Sequence, residues 1–199
     1  TNLYPGTARY FLEYPEDIQL YGVSFNTEIG ATGISLQGEV SYRNDMPLQI
    51  DDVELLIAGL TPYLPVSSMT QLGQQDFNSY IQGYRRFDVW QPQVTATKLF
   101  GPTLGANQWV LVGEVGATVV PNLPEKDLLR FDGPGTALSG NRQAPGLPGH
   151  APYSEPASAF ADDFSWGYRL AARIDYTDVF GGVNLSPAIA FAHDVDGNT

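Results

Sequence analysis

The sequence predicts an all-β fold, an antiparallel up-and-down membrane β-barrel of which the chain supplies about six strands, with short turns at one end and long loops at the other. Three observations lead there. From Asp163 to Tyr176 the even positions read Phe, Trp, Tyr, Leu, Ala, Ile and Tyr, while the odd positions carry Asp, Ser, Gly, Arg, Ala, Arg and Asp. This is the two-residue period of a strand with one apolar and one polar face. A strand from Phe164 to Tyr176 would run roughly 40 Å, or about 28 Å of height at the tilt of a membrane barrel, which matches a bilayer core. Its aromatic residues flank a small aliphatic middle, as two lipid and water interfaces select. The third observation is that the connections between strands alternate between short and long, as tight turns at one rim and long loops at the other require.

Taken in order, residues 1–16 read as a loop with an aromatic cluster from Tyr10 to Tyr14. Asp17 to Asn26 is a first strand with Tyr21, Val23 and Phe25 on one face. Gly30 and Gly33 supply positive φ for a turn into a second strand, where Ile34, Leu36, Gly38, Val40 and Tyr42 alternate with Ser35, Gln37, Glu39, Ser41 and Arg43. Asn44 to Gly83 loses that period and reads as a long structured loop. Within it, Val53, Leu56, Ile57 and Leu60 fall at helical spacing, Asp51 or Asp52 can cap the N-terminus, and Pro62 and Pro65 stop the helix. A second helical turn is expected at Phe77, Tyr80 and Ile81.

Tyr84 to Phe100 forms a third strand with mixed faces, since Asp88, Pro92 and Lys98 share a side with Trp90, Val94 and Ala96. Pro92 removes a ladder donor, and a bulge near it is the expected remedy. After a compact turn at Gly101 to Gly105, Asn107 to Val120 is a fourth strand with Trp109, Leu111, Val115 and Val119 on one face. Residues 121–162 are rich in Pro, Gly and Ser and read as a second long loop, with a short helix expected near Lys126 to Leu129. The strand at Phe164 follows, then a turn at Asp178 to Gly182 and a last strand from Val183 to Ala192, weakened in its middle by Pro187. The whole of 1–199 is read as one partial barrel domain.

Composition narrows the function. A net charge of −12 with only ten Lys and Arg argues against a nucleic-acid partner. The absence of cysteine removes disulfides, thiolate metal sites and cysteine nucleophiles. Thr1 opens a polar segment without a signal peptide, so the start is read as an internal or processed end. His150 and His193 lack a metal-ligand spacing, and no nucleophile elbow, P-loop or His-Glu-x-x-His motif occurs, so no enzyme and no cofactor is expected.

The phrases RYFLEYPEDIQLYGVSFNT, LQGEVSYRNDMPLQIDDVELL, GYRRFDVWQPQVTATKLFGPTLGANQWVLVGEVGA, RFDGPGT and FADDFSWGYRLAARIDYTDVFGGVNLSPAIAFAHDVDG resemble the DUF1302 family of predicted outer-membrane proteins of Gram-negative bacteria. They run in one order over most of the chain, which is similar to an internal, C-terminal-half portion of that family. The resemblance implies a barrel in the bacterial outer membrane, in contact with its lipid, that binds or transports hydrophobic small molecules of lipid, sterol or hydrocarbon type, with oligomers possible.

In such a barrel Glu39, Arg43, Glu114, Arg169, Arg173 and Asp175 would face the lumen, with Glu39 and Glu114 as partners for the arginines. Tyr42, Trp109, Phe164, Trp166, Tyr168 and Tyr176 would face lipid. The run Asp194, Asp196, Asn198 has the oxygen density of a calcium turn without the later Glu of an EF-hand, and is kept as a weak calcium candidate beside an ordinary turn. Two other classes stay open. One is a structural or adhesive surface protein assembling through sheet edges and loops; the other is a secreted carbohydrate-active enzyme using carboxylates such as Glu39 and Glu114.

Overall fold

The computed structural model describes residues 9–141 and 154–199 of the chain. They form one antiparallel sheet of seven strands in up-and-down order. In chain order these are β1 (Gln19–Glu28), β2 (Ile34–Gln49), β3 (Tyr84–Phe100), β4 (Gln108–Val119), β5 (Phe164–Phe180), β6 (Val183–Leu185) and β7 (Ala188–Asp196). The expected last strand is thus two pieces, both paired to β5. The break falls at Ser186 and Pro187, and an edge position tolerates a proline there. Among the described residues the sheet is open, with β1 at one edge and β6 and β7 at the other.

One register runs across the sheet. Tyr21 lies opposite Tyr42, Tyr42 opposite Trp90, Trp90 opposite Val119 and Val119 opposite Phe164. Opposed residues in an antiparallel pair point to the same side. Every apolar set read from the sequence therefore lands on one face, and the alternating polar sets land on the other. The rings of Tyr42 and Trp90 meet at 4.5 Å between centroids, and those of Tyr21 and Tyr42 at 6.2 Å. The Phe25 ring covers Gly38, where a Cβ would overlap it, so this glycine gives the aromatic its seat.

Short and long connections segregate as expected. The turns after β1, β3 and β5 lie at one end; the first uses Gly30 (φ 49°) and Gly33 (φ 67°), the last Gly181 (φ 59°) and Gly182 (φ 84°). The connections after β2 and β4 are long and lie at the opposite end, where they fold on each other. Helix α1 (Asp52–Leu60) begins where expected, with the Asp51 carboxylate accepting from Val53 N at 3.0 Å. Its buried face differs: Val53, Glu54, Ile57 and Ala58 turn inward, while Leu56 is 61% exposed. The second helical turn falls at Ser67–Met69 instead of Phe77 to Ile81. Lys126 to Leu128 make a hydrogen-bonded turn in place of the short helix, with Leu128 N donating to Glu125 O at 2.8 Å. No helix among the described residues is long and apolar enough to cross a membrane, which says nothing about strands.

The bulge expected near Pro92 is not found there; the sheet has one in β2 instead. Arg43 pairs with Val89 and Met46 with Phe87, so the register slips by one at Asn44 and Asp45, while the β2–β3 register stays regular through Pro92. Asp45 adopts φ 57°, and the Asp88 carboxylate accepts from Asn44 Nδ2 at 2.8 Å and Asp45 N at 3.4 Å. Beyond the bulge β2 continues to Gln49, in a stretch the sequence alternation assigns to the loop. The slip reverses which side its apolar residues take. Met46, opposite Phe87, and Leu48 now share the side of Val89, which is the polar face of the rest of the sheet.

This reversal places the core. Ile50, Phe131 and Ala161 are buried against Leu48, Leu55, Leu72, Phe87, Leu123 and Leu129, and a second cluster joins Val53, Ile57 and Val66. Residue Phe131 of the second long loop bridges Ile50 at the end of β2 and meets the Phe87 ring edge-on at 5.2 Å. Buried apolar side chains are concentrated in this cap, whereas every residue of β1, β6 and β7 is exposed. Replacing Asp88 by Ala is expected to free the two donors of the bulge and loosen it. Amide exchange should then speed up at 46–49 and 84–87 while the β4–β5 ladder keeps its rates.

Candidate functional site

The polar face carries a groove of about 590 Å³ at the long-loop end of the sheet. Its floor follows the register. Glu39 lies opposite Gln93, Gln93 opposite Gly116, Gly116 opposite Gly167 and Gly167 opposite Asp194. Two glycines in the middle of this row leave a depression with a carboxylate residue at each end. Pro134 of the second long loop, and Asn198 and Thr199 beyond β7, complete the wall.

Of the six residues expected to face a lumen, four line this groove: Glu39, Arg43, Glu114 and Arg169. Arg169 Nη1 stands 3.8 Å from Glu114 Oε1, on directly opposed positions of β4 and β5. Glu114 Oε2 also accepts from Gln93 Nε2 at 2.9 Å and Thr95 Oγ1 at 3.2 Å, so three strands converge on this carboxylate. Arg43 donates to Gln91 Oε1. Arg173 and Asp175 share the same face but sit farther toward the short turns, where they pair with each other through two bonds, Nε to Oδ1 at 2.9 Å and Nη2 to Oδ2 at 3.1 Å. Arg173 therefore finds its partner two residues along its own strand and not across the sheet.

The six aromatic residues named from the sequence all take the apolar side. Tyr42, Phe164, Trp166 and Tyr168 lie toward the long-loop end, and Trp109 and Tyr176 toward the short turns. Lys98 is the charged residue of β3 in the short-turn half of this face, and its Nζ lies 5.0 Å from the Phe100 ring centroid. In the calcium candidate, Asp194 and Asp196 line the groove, Asp196 Oδ1 accepts from Gly197 N at 3.1 Å, and Asn198 Nδ2 is turned onto Ala159 O at 2.7 Å. His193 packs its ring on Tyr168 at 5.5 Å between centroids, and His150 lies outside the described residues.

A cluster unforeseen in the sequence closes the cap above the groove. Glu54 of α1 is fully buried, and Arg130 of the second loop donates to its Oε1 from Nη2. Gln71 N donates to Glu54 Oε2 at 2.7 Å, and Ser139 Oγ to Oε1 at 3.4 Å. Arg130 Nε is 3.6 Å from Asp51 Oδ2, and its guanidinium lies over Phe160 at 5.6 Å. Lys126 adds a pair to Asp162 at 2.6 Å. A nearly buried arginine thus ties the two long loops, and Gln71 adds to the tie by donating to Lys126 O and accepting from Arg130 N, each at 2.8 Å. The available signal was Glu54 itself, a charged residue inside the apolar stripe of a helix, which demands a buried partner.

Acid outnumbers base in this cluster. Asp51, Asp52 and Asp132 each bring one carboxylate oxygen within 4.8 Å of the others. Burial first, then the Glu54 charge, pushes Asp51 up to about 6. Burial, then Asp52 and Asp51, pushes Asp132 up to about 6.

The protein is therefore an antiparallel meander with one apolar and one polar face, its long connections folded into a cap at one end of the polar side. The chain belongs to the family described as "Protein of unknown function (DUF1302)", whose model matches residues 1–199. No curated protein and no solved structure matches it.

Truncating Arg130 to Met should leave Glu54 buried without its cation, a loss of about 3–5 kcal/mol. Protease sites in 61–83 and 121–141 should then open, and pairing R130M with Glu54→Gln should restore part of the protection. The raised carboxyls give the cap a definite pH response. A folded-state value above the unfolded one means that the folded cap binds protons more tightly, so its stabilisation is full below about pH 4 and is lost as pH rises through about 6. Amide protection of α1 should fall between pH 4.5 and 7, and Asp132→Asn should flatten that slope.

Proposed function

We propose that this chain forms part of the wall of a bacterial outer-membrane β-barrel, with the apolar face against lipid and the polar face toward a water-filled lumen. The observation that carries the reading is the pairing across β1 to β5 and β7, which puts the apolar sets led by Tyr21, Val40, Val94, Val115, Leu170 and Phe191 on one side and Glu39, Arg43, Glu114, Arg169, Arg173 and Asp175 on the other. A soluble sheet that exposed Val23, Val94, Leu111, Val115, Leu170, Ile189 and Phe191 together to water would present a large uncovered apolar surface. Bilayer lipid covers such a surface without further protein. Strand length agrees: β3 and β5 have 17 residues each, against about five or six in ordinary soluble strands. Lys98, on the apolar face near the short turns, extends its amine along Phe100 as lysines do at a membrane boundary.

The barrel acts by binding and passing small molecules and not by catalysis. Its cargo is hydrophobic, of lipid, sterol or hydrocarbon type. The cap folds over the polar side, where it narrows the mouth of the passage. A second reading, a structural surface protein joined through sheet edges, draws on the open edges at β1 and β7. It requires fibres or stacked sheets of purified protein in the absence of lipid.

All three tryptophans of the chain, Trp90, Trp109 and Trp166, lie on the apolar face, two toward the long-loop end and one toward the short turns. In bilayers containing brominated lipids their emission should be quenched, most strongly by bromines near the ends of the acyl chains' glycerol side. Unquenched emission from reconstituted protein would remove the membrane reading.

A further inference from the structure

The segment ahead of β1 spends its polar groups on the protein and presents its apolar ones outward, the reverse of a loop that meets only water. Tyr80 Oη of the first long connection and Tyr84 Oη at the start of β3 both donate to the Glu13 carboxylate, the second at 3.4 Å. Arg86 donates from Nη2 to Glu16 O at 2.9 Å and from Nη1 to Asp45 O at 3.2 Å. The Phe11 ring stacks on Tyr80 at 6.0 Å between centroids. Held in this way, the segment leaves Tyr10, Leu12 and Tyr14 at 92%, 78% and 82% exposure, and Phe11 and Tyr80 are more than half exposed as well.

The register fixes the side on which the segment lies. Arg86 and Tyr84 pair with Pro47 and Gln49, and by alternation along β3 they share the side of Trp90, the apolar face. The cap lies on the other side, against Phe87. Height can be read along the same strand. From Trp90 to Phe100 the chain advances about 33 Å, or about 23 Å of height at a barrel's tilt, close to the full apolar band of an outer-membrane barrel. Trp90 therefore marks the upper limit of the acyl chains on this strand. Arg86 stands about 9 Å higher, level with the outer edge of a headgroup layer. The exposed aromatic segment crosses there, directly above the row of Tyr21, Tyr42 and Trp90.

Its composition separates lipid from protein as the occupant. The centre of a protein contact is depleted of charge, whereas Glu13 stands in the middle of this aromatic run. Tyrosines, with an apolar body and a polar tip, beside charged side chains are what the boundary between water and acyl chains selects. We propose that Tyr10, Phe11, Leu12, Tyr14 and Tyr80 form an aromatic anchor that lies in the headgroup layer of the leaflet on the long-loop side. The inference rests on the barrel-wall reading above and adds to it a second lipid contact, made by a connection and not by the strands.

The test uses the absence of cysteine from residues 1–199. Single variants Leu12→Cys and Tyr14→Cys, both at exposed positions, are labelled with an environment-sensitive fluorophore and reconstituted in phosphatidylcholine vesicles. Val94→Cys on the apolar face and Leu128→Cys on the second long loop serve as references. Lipids carrying a nitroxide on the headgroup should quench the labels at 12 and 14 at least twofold more than lipids carrying it deep in the acyl chain, with aqueous iodide weak at both. The label at 94 should respond most to the acyl-chain nitroxide, and the label at 128 most to iodide. Iodide quenching at 12 and 14 equal to that at 128 overturns the anchor, as does stronger quenching from the acyl chains. Labels at 12 and 14 shielded from all three quenchers also overturn it, since protein then covers the segment. A label at 94 that acyl-chain nitroxide leaves unquenched defeats the wall reading and this inference with it; quenching at 94 with either adverse result at 12 and 14 defeats the anchor alone.

Discussion

The structure depends on the slip in β2 at Asn44 and Asp45, held by the Asp88 carboxylate. Before it, alternation puts apolar side chains on one face and leaves the other polar. After it, Met46 and Leu48 face the polar side, and a core can form there. Without the slip, those residues would continue the apolar face, and the cap would have nothing to pack against. A single extra residue therefore decides on which side of the sheet the long loops pack, and Pro134 of the second loop reaches the groove wall from there.

Much of this was legible because a strand's two-residue period survives in sequence wherever one face is apolar. The strands from Gln19 to Phe180, the turn glycines and the clustering of long connections at one end could be read directly. The groove was legible in part: Glu39, Arg43, Glu114 and Arg169 follow from alternation alone, whereas Arg173 looked the same in sequence and pairs with Asp175 instead. What escaped was the bulge, since a slip changes the phase of the pattern without marking its own position. Residues Met46 to Gln49 therefore read as loop. The cap escaped for another reason. Its contacts join residues far apart in the chain, such as Glu54 and Arg130, and no local period encodes a long-range ion pair.

The two halves of the molecule gain their stability differently. The cap buries Phe131 and Phe160 almost completely, worth about 1.5–3 kcal/mol each by area, and is a small core of ordinary kind. It also contains Glu54, Asp51 and Arg130, groups whose burial is costly unless paired. The sheet has no comparable core; its inner strands are paired on both sides, but its edges are open and its apolar face looks outward. A sheet of that kind is held by its hydrogen bonds and by whatever covers the apolar side, which is why the medium around it matters as much as the sequence within it.

The placement of the tight turns has a consequence for how the chain assembles. Each glycine turn joins strands that are neighbours in both sequence and space, so β1 with β2, β3 with β4, and β5 with β6 and β7 are local pairs with little loop entropy to overcome. The cap is the opposite case, since Arg130 and Glu54 are 76 positions apart. Contact order therefore ranks the events: hairpins first, as separate ribbons, then their lateral union, and last the clasp that ties the two long loops. The end with the short turns is the leading end of this process, and the capped end is where it finishes.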